Sequence, residues 1–104
     1  LQKLHQIFAD RLYIEISRIG LQEEQKTESA FIELGYKYNI PLVATNEAFF
    51  FDVDMYEAHD ALVCIAAAEY VANDNRKKFS PNNRLRSEAE MVNLFADLPE
   101  PTLM

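Results

Sequence analysis

The sequence contains a single cysteine, Cys64, and no tryptophan. One cysteine cannot form an internal disulfide, and it cannot build a thiolate zinc site by itself. A low cysteine content is typical of proteins in a reducing compartment. We therefore predict a cytoplasmic location. Cys64 lies between Val63 and Ile65 in an apolar helical stretch. That position favours a buried packing residue over a reactive nucleophile.

Glycine and proline are also scarce, with 2 and 4 residues in a chain of 104. This composition excludes collagen-like and low-complexity chains. The sequence has neither a Gly-rich phosphate-binding loop nor a nucleophile elbow. No motif therefore predicts a phosphate-loop nucleotide site or a serine-hydrolase site. The longest apolar run, residues 61–68, is too short to span a bilayer, and no signal-peptide pattern opens the chain. We therefore predict no membrane contact.

Basic residues are few, and the net charge is −7. This charge disfavours a free-standing nucleic-acid-binding domain, which needs a basic face. One stretch nevertheless concentrates positive charge without an intervening acid. It either contacts phosphate or a neighbouring domain, or it is a solvated loop with charge partners inside the chain. The basic side chains of this stretch are Arg76, Lys77, Lys78, Arg84 and Arg86.

Two segments are predicted to be strands, at about residues 11–17 and 40–45. In the first, Leu12, Ile14 and Ile16 alternate with polar side chains, as in a strand with one buried face. The second is short and apolar without alternation, which is typical of a parallel strand covered on both faces. Helical patterns flank both segments, so the order of elements predicts an α/β fold with parallel strands.

Four segments are predicted to be helices, and two of them have specific core residues. The helix over residues 54–71 starts at a capping-box pattern and is expected to bury Met55, Leu62 and Ile65. Ser87 and Glu90 form a second capping-box pattern, before a helix that buries Met91 and Phe95. The other two helical patterns cover residues 1–8 and 23–38.

Two strands cannot complete a sheet, because both outer edges keep unpaired backbone groups. The first helical pattern also begins at Leu1 without a capping residue. Both features predict a piece of a larger α/β domain, such as a barrel. A piece of this kind exposes apolar surface, so we expect the isolated chain to self-associate by exchanging a helix or a strand.

Candidate site residues follow or face the predicted strands, because α/β proteins place their working groups at the carboxyl ends of parallel strands. Glu47 follows the second strand and is either a metal ligand or general base, or simply a loop acid. Glu15 lies on the polar face of the first strand. His59 is either a metal ligand or a histidine that is hydrogen-bonded at the edge of the core. The triplet of phenylalanines at 49–51 forms an interaction surface or fills the core.

Three stretches together resemble one family, the alpha subunits of the bacterial replicative DNA polymerase III. Their order and spacing resemble the later part of that family's N-terminal polymerase-and-histidinol-phosphatase (PHP) domain. The resemblance implies that residues 1–104 are the C-terminal portion of such a domain and a fragment of a much longer chain. The stretches are residues 11–16 with Arg18 and Gly20, residues 41–47 followed by 58–62 and 64–65, and residues 84–87 with matching positions between 90 and 100.

The resemblance implies a partial, distorted βα barrel with a degenerate metal site. Metal-binding members carry an aspartate after the second strand and a histidine two residues later, and here these positions are Glu47 and Phe49. A third ligand position, before the glycine that follows the first strand, is Ile19. Phenylalanine and isoleucine cannot bind a metal ion. Glu47 therefore remains as a weak ligand, with Glu15, Asn46 and His59 as further motif residues and no catalytic residue.

The resemblance also implies a function for the longer chain. That chain is a DNA-directed DNA polymerase, a nucleotidyltransferase that uses Mg and contacts DNA. The fragment is expected to be inactive, to hold no cofactor, to support the polymerase core and to dock the proofreading exonuclease subunit. Two alternatives stay open: a piece of a free-standing PHP-type metal-dependent phosphoesterase, and a protein-interaction module that uses the phenylalanine triplet.

Overall fold

The computed structural model describes residues 1–103, which fall into two units. The first unit comprises Leu1–Thr45 and the residues from Ser87 onward, and the second is Asn46–Arg86. Within the described residues there are two strands, β1 (Ile14–Ser17) and β2 (Leu42–Thr45), and four α-helices. The helices are α1 (Gln2–Phe8), α2 (Gln22–Tyr38), α3 (Tyr56–Ala67) and α4 (Glu88–Leu94), and 3-10 turns cover Ala9–Arg11, Val53–Met55 and Glu100–Thr102.

The strands β1 and β2 pair in parallel, with Ile14 opposite Leu42 and Ser17 opposite Thr45. The predicted α/β arrangement with parallel strands is confirmed. Both strands are shorter than the predicted segments 11–17 and 40–45. The carbonyl of Pro41 accepts a hydrogen bond from the Ile14 N–H at 2.9 Å, but a proline has no N–H to continue the ladder.

The first unit buries Ile14, Ile16, Ile40, Leu42 and Phe95 in one apolar cluster. The alternation read from the first strand is confirmed, because the side chains on either side of Ile14 are exposed. Phe95 is fully buried, with 0% of its surface accessible. The largest apolar side chain of this core therefore comes from the chain just after α4.

Both ends of α2 are closed by local hydrogen bonds. The Glu24 carboxylate accepts from the backbone N–H groups of Ile19, Gly20 and Leu21 at 2.9–3.1 Å. These N–H groups immediately precede the first residue of the helix, and the carboxylate from its first turn holds all three. At the other end, Asn39 adopts the left-handed conformation with φ 53°, which asparagine tolerates better than most residues. The predicted end of this helix at Asn39 is confirmed.

The capping box predicted for the last helix is also confirmed. The Ser87 hydroxyl accepts a hydrogen bond from the Glu90 N–H at 3.2 Å, and the Glu90 carboxylate accepts from the Ser87 N–H at 2.9 Å. This arrangement starts α4 at Glu88 and directs Met91 and Phe95 toward the core of the first unit.

The prediction for α3 was wrong about its start, its length and its buried face. The helix begins at Tyr56 after Met55, without a side-chain cap, and not at the predicted capping box. The helix ends at Ala67, because Ala68 takes a left-handed conformation with φ 53°. Leu62 and Ile65 are 63% and 76% exposed, and Met55 is 46% exposed. The opposite face, with Cys64, is buried instead. Alanines and other apolar residues lie on both faces of this helix, so its periodicity did not distinguish the covered face.

Gly35 allows α2 to approach β2 closely. A Cβ at this position would lie 2.7 Å from Leu42 Cδ2 and 3.2 Å from the Ile40 carbonyl oxygen. Leu42 is 2% exposed and cannot swing aside. We expect Gly35→Ala to lower the free energy of unfolding by about 1–2 kcal/mol, since the overpacking outweighs the gain in helix propensity. Urea unfolding followed by circular dichroism measures this, with Ser29→Ala on the exposed face of α2 as the control.

Within residues 1–103, no helix is long and apolar enough to cross a membrane.

Candidate functional site

Glu47 lies on the surface of the second unit, and its backbone is fixed by a buried asparagine. The Asn83 Nδ2 donates a hydrogen bond to the Glu47 carbonyl at 2.8 Å, and the Asn83 Oδ1 accepts from the Ser80 N–H at 2.9 Å. Asn83 is 1% exposed. The sequence analysis missed this residue, although a Pro-Asn-Asn sequence is a turn signal. Such a signal does not tell which asparagine turns inward.

Asn46 attaches the same loop to the chain at Arg84. Its Nδ2 donates to the Arg84 carbonyl at 2.6 Å. Two backbone hydrogen bonds continue the attachment, from the Phe49 N–H to the Asn83 carbonyl at 2.8 Å and from the Leu85 N–H to the Phe50 carbonyl at 2.9 Å. Phe50 and Arg84 thus form a single parallel bridge. Asn46 therefore orients the Glu47 loop through its amide group.

His59 lies on the covered face of α3, among three phenylalanine rings. The distances between ring centroids are 5.7 Å to Phe49, 5.2 Å to Phe50 and 5.3 Å to Phe79. The Nδ1 atom of His59 is buried and has no hydrogen-bond partner among the described residues. The His59 ring therefore packs with its aromatic neighbours, and within residues 1–103 its Nδ1 lacks the hydrogen bond that the second interpretation of this residue included.

The phenylalanine triplet divides between the two roles considered for it. Phe50 is buried, and Phe49 packs on His59 and Phe79 while 44% of its surface stays exposed. Phe51 is 68% exposed. Two of the three rings therefore serve packing, and one faces outward.

Among residues 1–103, no group of three or more His, Cys, Asp or Glu side chains is placed to hold a metal ion. The exposed Glu47 and the ring-packed His59 are not brought together in such a group. The degenerate, weak metal site at Glu47 stays a prediction. Ile19, at a position where the resemblance implies an imidazole, is 5% exposed and belongs to the buried apolar side chains.

Glu15 occupies the polar face of β1, next to β2. The Thr45 hydroxyl donates to its Oε1 at 2.6 Å, so the two neighbouring strands are linked by their side chains as well as by backbone hydrogen bonds. An open groove of about 230 Å³ runs between β1 and α2. Its lining residues are Glu15, Ile16, Ser17, Glu24, Thr27, Glu28 and Phe31.

Arg18, one of the residues that carry the resemblance, joins three parts of the first unit. Its guanidinium donates to the Glu28 carboxylate from α2, to the Asp97 carboxylate at 2.6 and 3.0 Å, and to the Leu94 carbonyl at 3.0 Å. It also lies 4.6 Å from the centroid of the Phe95 ring. Its hydrogen bonds to Glu28 and Asp97 raise the pKa of the Arg18 guanidinium. The hydrogen bond between Arg18 and Asp97 also lowers the pKa of the Asp97 carboxyl. This arginine is a structural connector.

The basic stretch contains one residue that is fully engaged inside the second unit. Both terminal nitrogens of Arg76 donate to the Asp60 carboxylate at 2.6 Å, and the Arg76 side chain is only 4% exposed. Lys78 lies 3.4 Å from Asp74, and the Lys77 ammonium lies 5.0 Å from the Phe79 ring centroid. Arg76 therefore has its charge partner inside the chain, which is one of the alternatives considered for the basic stretch. Contact of the stretch with phosphate or a neighbouring domain stays a prediction.

The pairing of Asp60 with Arg76 predicts a loss of stability in acid. The hydrogen bond from Arg76 lowers the pKa of the Asp60 carboxyl below its ordinary value in the folded chain. A carboxyl with a lowered pKa stabilises the fold above its unfolded pKa, and the stabilisation disappears as the pH falls through the folded pKa. We expect Asp60→Asn to lower the Tm at pH 7 and to flatten its decline below about pH 4.

Thermal unfolding between neutral pH and acid measures this effect. Asp52→Asn serves as the control, since Asp52 is exposed and an asparagine can keep the hydrogen bond that the Asp52 Oδ1 accepts from the Asp54 N–H. The same slope for Asp60→Asn and the unaltered chain would contradict the prediction.

These features define an α/β segment with a parallel strand pair and a candidate loop held by asparagines. Comparison with known proteins shows which proteins share its sequence. The chain is 40% identical over 100 residues to the DNA polymerase III subunit alpha of Caulobacter vibrioides, an alignment that covers 96% of this chain and 9% of that protein. It is 47% identical over 98 residues to the same subunit of Rickettsia bellii, covering 94% and 8%.

The DNA polymerase III subunit alpha of Escherichia coli is 37% identical over 94 residues, which cover 89% of this chain and 8% of the relative. No family model matches the chain. The resemblance to alpha subunits of DNA polymerase III is thereby confirmed. The chain spans less than a tenth of the length of these relatives.

Proposed function

We propose that this chain is a non-catalytic scaffold segment of a replicative DNA polymerase III alpha subunit. The observation that carries the proposal is sequence identity of 35–47% over nearly the whole chain to one short part of such subunits. The segment belongs to the later part of a PHP domain and supplies two parallel strands of its βα barrel. The parallel pairing of β1 with β2 supports this assignment, since a barrel continues such a pair on both edges.

The absence of catalysis in this segment follows from the side chains at the implied ligand positions. Ile19 is buried among apolar residues, and Phe49 packs its ring on His59. Neither side chain offers a donor atom to a metal ion. Glu47 alone retains a carboxylate, and one exposed carboxylate is a weak ligand for a divalent ion. The segment therefore keeps the barrel strands in place without a working metal cluster.

The activity belongs to the longer chain, which performs template-directed DNA synthesis in the cytoplasm with Mg. This segment supports the polymerase core and can dock the proofreading exonuclease subunit. Lys77 and Lys78 are the exposed basic residues that face a DNA phosphate or a neighbouring domain in this proposal. No residue of the segment takes part in nucleotidyl transfer.

The reading frame on both sides of the segment in the source DNA tests the proposal directly. We expect a long downstream continuation with the paired aspartates that hold Mg in polymerase palms. A stop codon soon after Met104 would overturn the assignment to a polymerase chain.

A second experiment tests the absence of a working metal site. The purified domain that contains this segment is expected to bind no stoichiometric Zn or Mn and to leave a phosphate ester intact. Bound metal together with ester hydrolysis would contradict the scaffold role and favour a PHP-type phosphoesterase.

A further inference from the structure

The outer edge of β1 presents peptide groups that no described strand pairs with. The sheet of residues 1–103 has two strands, and β2 lies on one side of β1. The Ile14 N–H donates to the Pro41 carbonyl at 2.9 Å, so the Ile14 N–H points to the side of β2. Successive residues of a strand direct their peptide groups to alternate edges, so those of Glu15 and Ser17 point away from β2. Such an edge is a template for a further strand.

An open groove follows the same edge. It is lined by Glu15, Ile16 and Ser17 in succession, and none of the residues of β2 lines it. Successive side chains of a strand point to opposite faces, so a groove lined by all three lies along the outer edge of β1. Thr27 and Phe31 of α2 line its other side. The helix therefore covers one face of the place where a third strand would lie.

The carboxylates that line the groove already accept hydrogen bonds from other parts of the first unit. Glu15 accepts from the Thr45 hydroxyl at 2.6 Å, and Glu28 accepts from the Arg18 guanidinium. Glu24 accepts from the three backbone N–H groups that precede α2. Each carboxylate therefore has a donor without any occupant of the groove, and no cationic side chain is needed to supply one.

The remaining open surface of the groove is small and apolar. Phe31 is the largest apolar side chain of the lining and is 43% exposed. The volume of about 230 Å³ lies below the roughly 300–1,000 Å³ of pockets that bind drug-sized ligands. A valine, isoleucine or leucine side chain suits this space better than a free small molecule. Strands of parallel sheets that are covered by helices carry near-continuous runs of these residues.

We propose that the outer edge of β1 pairs with a third, apolar strand from another part of the same polymerase chain, which places one apolar side chain in the groove beside Phe31. This proposal rests on the function proposed above. An alignment of 100 residues covers 9% of the Caulobacter vibrioides relative, so most of such a chain lies outside this segment. The peptide groups of Glu15 and Ser17 hold the strand, and the groove selects its side chain.

A second copy of this chain is a poor occupant of the same edge. Each copy carries a net charge of −7, and Glu15, Glu24 and Glu28 line the groove. Two copies that meet at this edge would bring both sets of carboxylates together, and like charges in close contact are destabilising. An apolar strand of the same chain brings no such charge.

Hydrogen exchange in the 104-residue chain and in the full-length subunit tests the pairing. In the 104-residue chain, the amides of Glu15 and Ser17 are expected to exchange quickly, while the Ile14 amide is protected by its bond to Pro41. In the full-length subunit, the Glu15 and Ser17 amides are expected to exchange more slowly, by about tenfold or more. Ile14 is the internal control, since its hydrogen-bond partner is present in both chains.

A variant of Ser17 separates the outer edge from the edge that faces β2. Ser17→Pro removes an outward N–H and keeps the hydrogen bonds to β2, because proline is tolerated on an edge strand and not inside a sheet. Ser17→Ala is the matched control, since it removes the hydroxyl and keeps the N–H. In the 104-residue chain, both variants are expected to keep the circular dichroism and the Glu15 exchange rate of the unaltered chain. In the full-length subunit, Ser17→Pro is expected to accelerate exchange at Glu15 by about tenfold, and Ser17→Ala to leave it unchanged.

Fast exchange at Glu15 and Ser17 in the full-length subunit would overturn the proposal and leave the polymerase assignment standing. Equal exchange in the Ser17→Pro and Ser17→Ala subunits would do the same. Protection that appears in the 104-residue chain as its concentration rises would identify a second copy as the occupant. Protection that requires an added proofreading exonuclease would identify a separate protein, and either result contradicts a strand of the same chain. A source reading frame without a polymerase would overturn both proposals together.

Discussion

Replacement of Phe95 by alanine is expected to remove about 3–5 kcal/mol from the free energy of unfolding. Phe95 is fully buried in the core of the first unit, among Ile14, Ile16 and Leu42, and it supports the Arg18 guanidinium 4.6 Å from its ring centroid. The substitution removes the ring from the apolar cluster and leaves a cavity that a parallel strand pair cannot collapse to fill. Domains of this size are stable by only about 5–15 kcal/mol, so the loss is a large share of the total.

The Tm of Phe95→Ala is expected to fall by about 15 °C or more. Differential scanning calorimetry measures this shift, and urea unfolding gives the matching free energy. Val92→Ala is the control on α4, because Val92 is 47% exposed and its loss leaves no cavity. A Phe95→Ala variant that unfolds within 2 °C of the unaltered chain would show that the core does not depend on this ring.

Replacement of Asn83 by alanine is expected to cost about 2–4 kcal/mol, the second-largest effect. The change leaves the Glu47 carbonyl and the Ser80 N–H without their side-chain partners, in a place where Asn83 itself is 1% exposed. Both hydrogen bonds are partly buried, so the groups that lose their partner carry part of the cost of desolvation. The second unit loses its attachment of the Glu47 loop, so amide exchange at Phe49 is expected to accelerate.

Asn83→Asp separates hydrogen bonding from volume at the same position. An aspartate accepts from the Ser80 N–H as before, but its ionised form presents a negative oxygen to the Glu47 carbonyl. Burial raises the pKa of such a carboxyl, and protonation restores a donor. The loss of Tm relative to the unaltered chain is therefore expected to be larger at pH 7 than at pH 4.

Asn75→Ala is the control for both Asn83 variants, since Asn75 is exposed in the same unit. An equal loss of Tm in Asn75→Ala and Asn83→Ala would contradict the structural role of the buried amide. A pH-independent effect of Asn83→Asp would show that the carboxyl escapes the Glu47 carbonyl.

The elements of the first unit could be predicted because their signals are local. Alternation placed Ile14 and Ile16 inside, and Asn39 ended α2, where a left-handed conformation is required. The capping box at Ser87 and Glu90 started α4 as expected, because both hydrogen bonds form within one helical turn. Patterns of this range need no knowledge of the rest of the chain.

The candidate site was predicted less completely, because its contacts join distant parts of the chain. Glu47 was identified by its place after a strand, but the buried Asn83 that holds its carbonyl lies 36 residues further on. Arg76 was grouped with basic residues that contact phosphate or a neighbouring domain or have charge partners inside the chain, and its carboxylate partner Asp60 lies 16 residues earlier. A list of basic residues does not show which of them are already paired.

The sequence alone determined the parallel α/β pattern, the end of α2, the start of α4 and the similarity to DNA polymerase III alpha subunits, since each depends on residue order and short-range spacing. Tertiary structure decided which face of α3 is covered. Phe49, Phe50 and Phe79 pack around His59, so they select one of two apolar stripes and leave Leu62 and Ile65 exposed. The burial of a residue depends on the residues that pack against it. The periodicity of one helix carries no information about which other parts of the chain will cover it.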